Sequence, residues 1–114
     1  MDISLSTTPV NDSNVDALVI LLAQADDTLT GAAKTIDQAM KGALKELLQQ
    51  DFEGKNGQVA TLYPRGTIKA ARVILVGVGP VGEVSAETLR RAVATAVKRA
   101  RELKVKRLAV ALYS

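Results

Sequence analysis

Residues 69–112 read KAARVILVGVGPVGEVSAETLRRAVATAVKRARELKVKRLAVAL, and this stretch decides the fold. An apolar strand over Arg72–Val76 meets a glycine-rich turn at Gly77, Gly79 and Gly82. An amphipathic helix follows, and a second apolar strand closes the run at Leu108–Leu112. Strand, helix and strand in that order form a βαβ unit, so the two strands are expected to run parallel in one sheet. Ser85 is the natural N-cap of the helix, with Glu87 in its first turn, where a carboxylate suits the positive end of the helix dipole. Leu89, Val93, Ala96, Val97, Ala100 and Leu103 share the face that must be buried. Arg90, Arg91, Lys98 and Arg101 lie away from it. Lys104 and Lys106 flank the helix end, where cations are favoured.

Upstream, Ile3, Leu5 and Thr7 alternate with polar residues, as in a half-buried strand stopped by Pro9. Residues 10–14 read as a turn. Ala17–Ala23 (ALVILLA) is apolar throughout, the pattern of a central strand covered on both faces. A polar loop runs from Asp26 to Gly31, with Thr30 placed to cap the next helix. Ile36, Met40, Ala43, Leu44, Leu47 and Leu48 recur at helical spacing and predict a single helix over residues 32–50. Asp51–Gly57 ends it. Gln58–Tyr63 reads as a further strand stopped by Pro64, and Arg65-Gly66-Thr67 turns the chain into the strand at 72. The expected order is β-β-α-β-β-α-β: a three-layer α/β sandwich with a mixed sheet of about five strands and helices near 32–50 and 86–104.

Composition bounds the chemistry. The chain has 114 residues, one domain by size, and 47% are apolar, enough for a core without metal or disulfide support. Only 3% are aromatic, so the core must be aliphatic. With no cysteine and no histidine, thiolate chemistry, disulfides, the commonest general base and the commonest metal ligand are all missing. No apolar run reaches the length of a membrane span, and the N-terminus lacks the pattern of a signal peptide. A cytoplasmic protein with no membrane partner is the expectation. The net charge of +3 conceals a division: residues 1–64 carry four Lys against nine acids, net −5, whereas residues 65–114 carry eleven Lys or Arg against three Glu, net +8.

Three motifs are candidates for function. Gly77-x-Gly79-x-x-Gly82 has the spacing of a dinucleotide-binding fingerprint. That site needs its third glycine at the helix start, yet the N-cap is three residues later, and Pro80 lacks an N–H. The acid expected at the end of the next strand is absent too, since the chain reads Leu112-Tyr113-Ser114. A plain strand-to-helix connection is the expected role of these glycines. Asp26-Asp27 is the one adjacent acidic pair and without further ligands makes a poor metal site. No histidine stands ready to activate a serine or threonine. Lys34, Lys41 and Lys45 fall on the exposed side of the first helix, where solvation is their ordinary role. Residues 90–107 hold eight Lys or Arg against Glu102 alone, which could contact phosphates without reading sequence. Arg90, Arg91, Lys98 and Arg101 would be the contacts. Nothing aromatic interleaves with them, and a solvated face is the expected reading.

Two segments resemble one family. Leu44-Lys-Glu-Leu-Leu-Gln-Gln-Asp-Phe-Glu-Gly-Lys-Asn-Gly-Gln58 is similar to the helix end and D-F-x-G-K-x-G segment of the cytosolic leucyl aminopeptidases. Ala71-Arg-Val-Ile-Leu-Val-Gly-Val-Gly79, then Ser85–Arg91 and Leu103–Arg107, resemble the same family's R-V-x-L-V-G-L-G turn with its following helix and strand. The resemblance covers most of residues 15–112. It implies a macro-like front domain without catalytic residues or metal ligands, joined in the parent to a C-terminal catalytic domain. That domain would hold two divalent metals (Zn or Mn) and an N-T-D-A-E-G-R-L motif, and release N-terminal amino acids from peptides. It also implies a homohexamer. Gly79-Pro-Val-Gly-Glu83 departs from the family by replacing the charged residue after the turn. Residues 1–114 are expected to be a single domain, and a fragment rather than a stand-alone relative. The alternative is a stand-alone macro-like module binding a nucleotide or ADP-ribose-type ligand near Gly77, Gly79 and Gly82, or a basic nucleic-acid-contacting domain.

Overall fold

The computed structural model describes residues 2–5, 14–24, 31–50 and 52–111. Thr7, Pro9, the turn at 10–13, Asp26-Asp27, the Thr30 cap and Leu112–Ser114 lie outside the described residues. Five strands form one sheet: β1 (Asp2–Leu5), β2 (Ala17–Gln24), β3 (Val59–Leu62), β4 (Arg72–Pro80) and β5 (Arg107–Ala111), in the spatial order β1-β5-β2-β4-β3. β1, β5, β2 and β4 are parallel, and β3 joins β4 antiparallel. The strands at 72–80 and 107–111 are thus parallel members of one mixed sheet, with β2 inserted between them.

β2 is central because it has nothing polar to expose. Residues 17–22 are all buried, with alternate side chains on opposite faces. Leu18, Ile20 and Leu22 join Val73, Leu75, Ile36, Leu44 and Phe52 on one side. Ala17, Val19 and Leu21 join Ile74, Val76, Leu108 and Val110 on the other. Helices α1 (Gly31–Ala39) and α2 (Ala43–Gln50) cover the first face, and α3 (Ala86–Glu102) covers the second. Ala92, Ala96 and Ala100 are the fully covered residues of α3, so the helix approaches the branched side chains of the sheet closely.

Three expectations are corrected. The helix over 32–50 is two helices. Lys41 (φ 58°) and Gly42 (φ 88°) both adopt left-handed backbone, which stops α1. The Gly42 N–H donates back to the Asp37 carbonyl at 2.8 Å, and the Asp37 carboxylate accepts from the Lys45 N–H at 3.0 Å, capping α2. The apolar spacing survives the break because both pieces present the same face to the sheet. Second, the strand predicted to end at Val76 runs through the glycines to Pro80, and only a 3-10 turn, Val81–Glu83, precedes α3. Third, Ile3 is 51% exposed, because β1 is a sheet edge.

Asp16 fastens the strand starts together. Its carboxylate oxygen accepts from the N–H groups of Lys106 and Arg107, both at 2.9 Å, and its own carbonyl accepts from the Arg72 N–H at 3.1 Å. The N–H groups of Arg107 and then Lys106 hold this carboxyl below the usual carboxylate range.

Candidate functional site

The glycine motif is a joint between two segments of the chain. Gln58 sits beside β4, and its carbonyl accepts from the Gly77 N–H at 2.8 Å. The Gly57 N–H donates to the Gly77 carbonyl at 3.2 Å, and the Gly79 N–H to the Gly54 carbonyl at 3.0 Å. A side chain at Gly77 would collide with the Lys55 carbonyl oxygen and stand 2.6 Å from the Gly54 carbonyl carbon, so only hydrogen fits. Gly79 has φ 84°, in the left-handed region. Gly82 has open space around it and lies exposed in the 3-10 turn. The N–H groups of Gly77 and Gly79 are therefore bonded within the chain and are not presented to a phosphate. At the helix start, the Ser85 hydroxyl accepts from the Thr88 N–H at 3.2 Å and fills the N-cap itself.

The loop at 52–58 is as tightly organised. Phe52 is buried in the α1–α2 layer. The backbone N–H groups of Glu53, Gly54 and Lys55 all donate to Gln58 Oε1, at 3.0, 3.0 and 3.3 Å. Gly54 and Gly57 take positive φ, which allows the chain to fold back in so few residues. The two glycine clusters of the sequence, 54–57 and 77–79, thus pack on each other.

On the other side of the sheet an open cleft of about 550 Å³ lies between β3 and α3. Val59, Thr61 and Tyr63 form one wall, and Thr95, Lys98, Arg99 and Glu102 the other. Arg99 Nε donates to the Thr61 hydroxyl across it at 3.4 Å. Tyr63 is 54% exposed, and the Arg72 guanidinium lies 5.9 Å from its ring centre, within cation–π range. Arg72 Nε is buried without a hydrogen-bond partner.

The basic candidates separate. Arg90 and Arg91 both pair with Glu87, at 3.3 and 3.0 Å. Lys98 lines the cleft, and Arg101 is exposed on α3. Lys34, Lys41 and Lys45 are exposed. Tyr63 and Arg72 were not candidates in the sequence, and Arg99 entered only as one of the eight cations of residues 90–107. No local pattern in the sequence marks them, because Arg72 meets Tyr63 and Arg99 meets Thr61 only through tertiary packing. Among the described residues no three His, Cys, Asp or Glu side chains come together to hold a metal, and no helix is long and apolar enough to cross a membrane.

Comparison with known proteins bears on this arrangement directly. Residues 19–114 match the model of the cytosol aminopeptidase family, N-terminal domain. The chain belongs to that family, as its N-terminal domain. A probable cytosol aminopeptidase of Cupriavidus pinatubonensis is 40% identical over 87 residues, 75% of this chain and 17% of that protein. One of Alkaliphilus oremlandii is 28% identical over 111 residues, 96% of this chain and 22% of that protein. The chain therefore spans about a fifth of the length of these cytosol aminopeptidases. Among solved structures, a tomato leucine aminopeptidase mutant aligns over 100% of this chain and 23% of its own, with a TM-score of 0.79 and 24% identity. The macrodomain of Mycobacterium tuberculosis DarG aligns over 95% of this chain and 74% of its own, with a TM-score of 0.73 and 13% identity. A macrodomain of Oceanobacillus iheyensis with ADPR gives 0.69 at 15% identity, over 95% and 62% of the two chains. The α/β sandwich is the fold read from the residues, and its macro-like form is what the family resemblance implied.

Proposed function

We propose that residues 1–114 form the non-catalytic accessory and assembly domain of a larger cytosol aminopeptidase, with the hydrolytic metals and the catalytic residues in the C-terminal portion that its relatives carry. The match of residues 19–114 to the family's N-terminal domain carries this reading. The residue inventory supports it: without His or Cys the ligands would have to come from the twelve Asp and Glu, and among the described residues no three of these come together. The parent is read as a cytoplasmic homohexamer using two divalent metals to release N-terminal amino acids. A chromogenic leucine-amide assay with Mn²⁺ or Zn²⁺ tests it. The 114-residue chain should match the blank, and the full-length parent should turn over. Turnover by the short chain sinks the reading.

The rival reading, a module for an ADP-ribose-type ligand, draws on the macrodomain likeness. The bonded N–H groups of Gly77 and Gly79 count against it, since phosphate would have to displace chain contacts. Calorimetry of the chain with ADP-ribose, NAD and AMP should give no heat. Micromolar binding lost in Gly79→Glu would promote the rival.

A further inference from the structure

β3, only four residues long, is an edge strand of the sheet. Natural edges are blunted by charge, proline, bulges or a covering element, because their free N–H and C=O groups invite another strand. Val59-Ala-Thr-Leu62 carries no charge and no proline, and Tyr63 beyond it is exposed. The Gln58 carbonyl points inward to Gly77, so the N–H of the same peptide unit, on Val59, points away from the sheet. By the alternation of an antiparallel ladder, Thr61 also turns its backbone groups outward.

The cleft beside this edge is cationic. Lys98 and Arg99 stand on the α3 wall against Glu102 alone. Arg72 is opposite Tyr63 at the foot of the same face, one step beyond the Leu62–Val73 pair, and its buried Nε lacks an acceptor. A second copy pairing β3 to β3 is a poor occupant. It would bring two α3 helices together, and residues 90–107 of each carry eight cations against one acid.

We propose that the β3 edge and the α3 flank of the cleft are a docking surface for an extended strand bearing carboxylates, supplied by the C-terminal portion of the aminopeptidase chain. The strand would add to β3 through Val59 and Thr61 and place acids against Lys98, Arg99 and Arg72. This rests on the accessory-domain reading. The relatives leave about four-fifths of their length to provide such a strand.

The test uses the 114-residue chain, isotope-labelled, titrated with overlapping peptides from the Cupriavidus pinatubonensis relative beyond its aligned 87 residues. At least one acidic peptide should shift the amide signals of Val59 and Thr61 and the Nε–H signals of Arg72 and Arg99. Charge reversal in Lys98→Glu/Arg99→Glu should weaken that peptide about tenfold or more, as a like charge opposite its acids would. Thr61→Pro, which removes an outward N–H, should abolish the shifts while leaving the core signals in place. The proposal is overturned if no peptide moves these signals, if basic peptides move them equally, or if they broaden with protein concentration alone, which would mean self-association. A null across the peptides leaves the accessory-domain reading standing, because the leucine-amide assay of the full-length parent tests that separately.

Discussion

Gly77 shows how one residue type serves two different arguments. In the sequence it belongs to a G-x-G-x-x-G spacing, and in the structure it is a place where two backbones touch. The readings predict different mutational patterns. If the glycines cradled phosphate, all three would matter for binding and little for stability. The contacts instead rank them for stability. Gly77→Ala drives a methyl into the Lys55 carbonyl and should destabilise by roughly 3 kcal/mol, the upper range of overpacking. Gly79→Ala pays left-handed strain alone, about 1 kcal/mol, and Gly82→Ala, with open space and ordinary φ, should be near neutral. Urea denaturation of the three variants checks this order, and an equal cost at all three would refute it. Asp16 makes a second prediction at this scale. Its folded pKa lies below the unfolded one, so its stabilisation is complete above the usual carboxylate range and is lost as pH falls through the folded value. Asp16→Asn should therefore cost roughly 1 kcal/mol near neutral pH and nothing in strong acid, as one charge-assisted clasp implies. Paired urea midpoints at descending pH should converge; parallel curves would exclude the carboxylate.

At the scale of elements, apolar periodicity located the helices, and backbone geometry decided how they end. Residues 32–50 give an unbroken amphipathic stripe, because α1 and α2 face the same sheet. The one local sign of the break is Gly42, an isolated glycine of the kind that is often tolerated within a helix. Its role depends on Lys41 being left-handed too, and on Asp37 supplying both a carbonyl to Gly42 and a carboxylate to Lys45. Those contacts span the turn and cannot be counted from spacing. Ser85 was legible because its N-cap is local: hydroxyl and N–H are three residues apart. Ser85→Ala should cost about 1 kcal/mol, as N-cap losses do. Gly42→Ala should cost 1–2 kcal/mol in left-handed strain, roughly, rather than gain helix propensity. A stabilised, more helical Gly42→Ala variant by circular dichroism would show that the break is not built in.

For the whole molecule, legibility came from strands that are apolar on both faces. Such strands must be covered twice, and this alone makes three layers out of Ala17–Leu22 and Val73–Val76. The edges were harder, since strand order is set by long-range pairing: Ile3 lies on the outermost strand β1 and Tyr63 just past the outermost strand β3, and both are exposed. The charge division of the sequence also changes meaning once folded. Arg90 and Arg91 share Glu87, Arg99 bonds Thr61, and Lys98 turns to the cleft, so these four cations form no single track for a phosphate backbone. Binding to DNA would be purely electrostatic and would fall by orders of magnitude between ~50 and ~200 mM salt if several phosphates were contacted. The isolated domain should therefore give no retarded band at the higher salt in a gel-shift series, and Arg90→Ala/Arg91→Ala should change nothing there. A band that persists at the higher salt and disappears in that double variant would mean that Glu87 yields its partners to phosphate, and that the basic face of α3 is a binding surface after all.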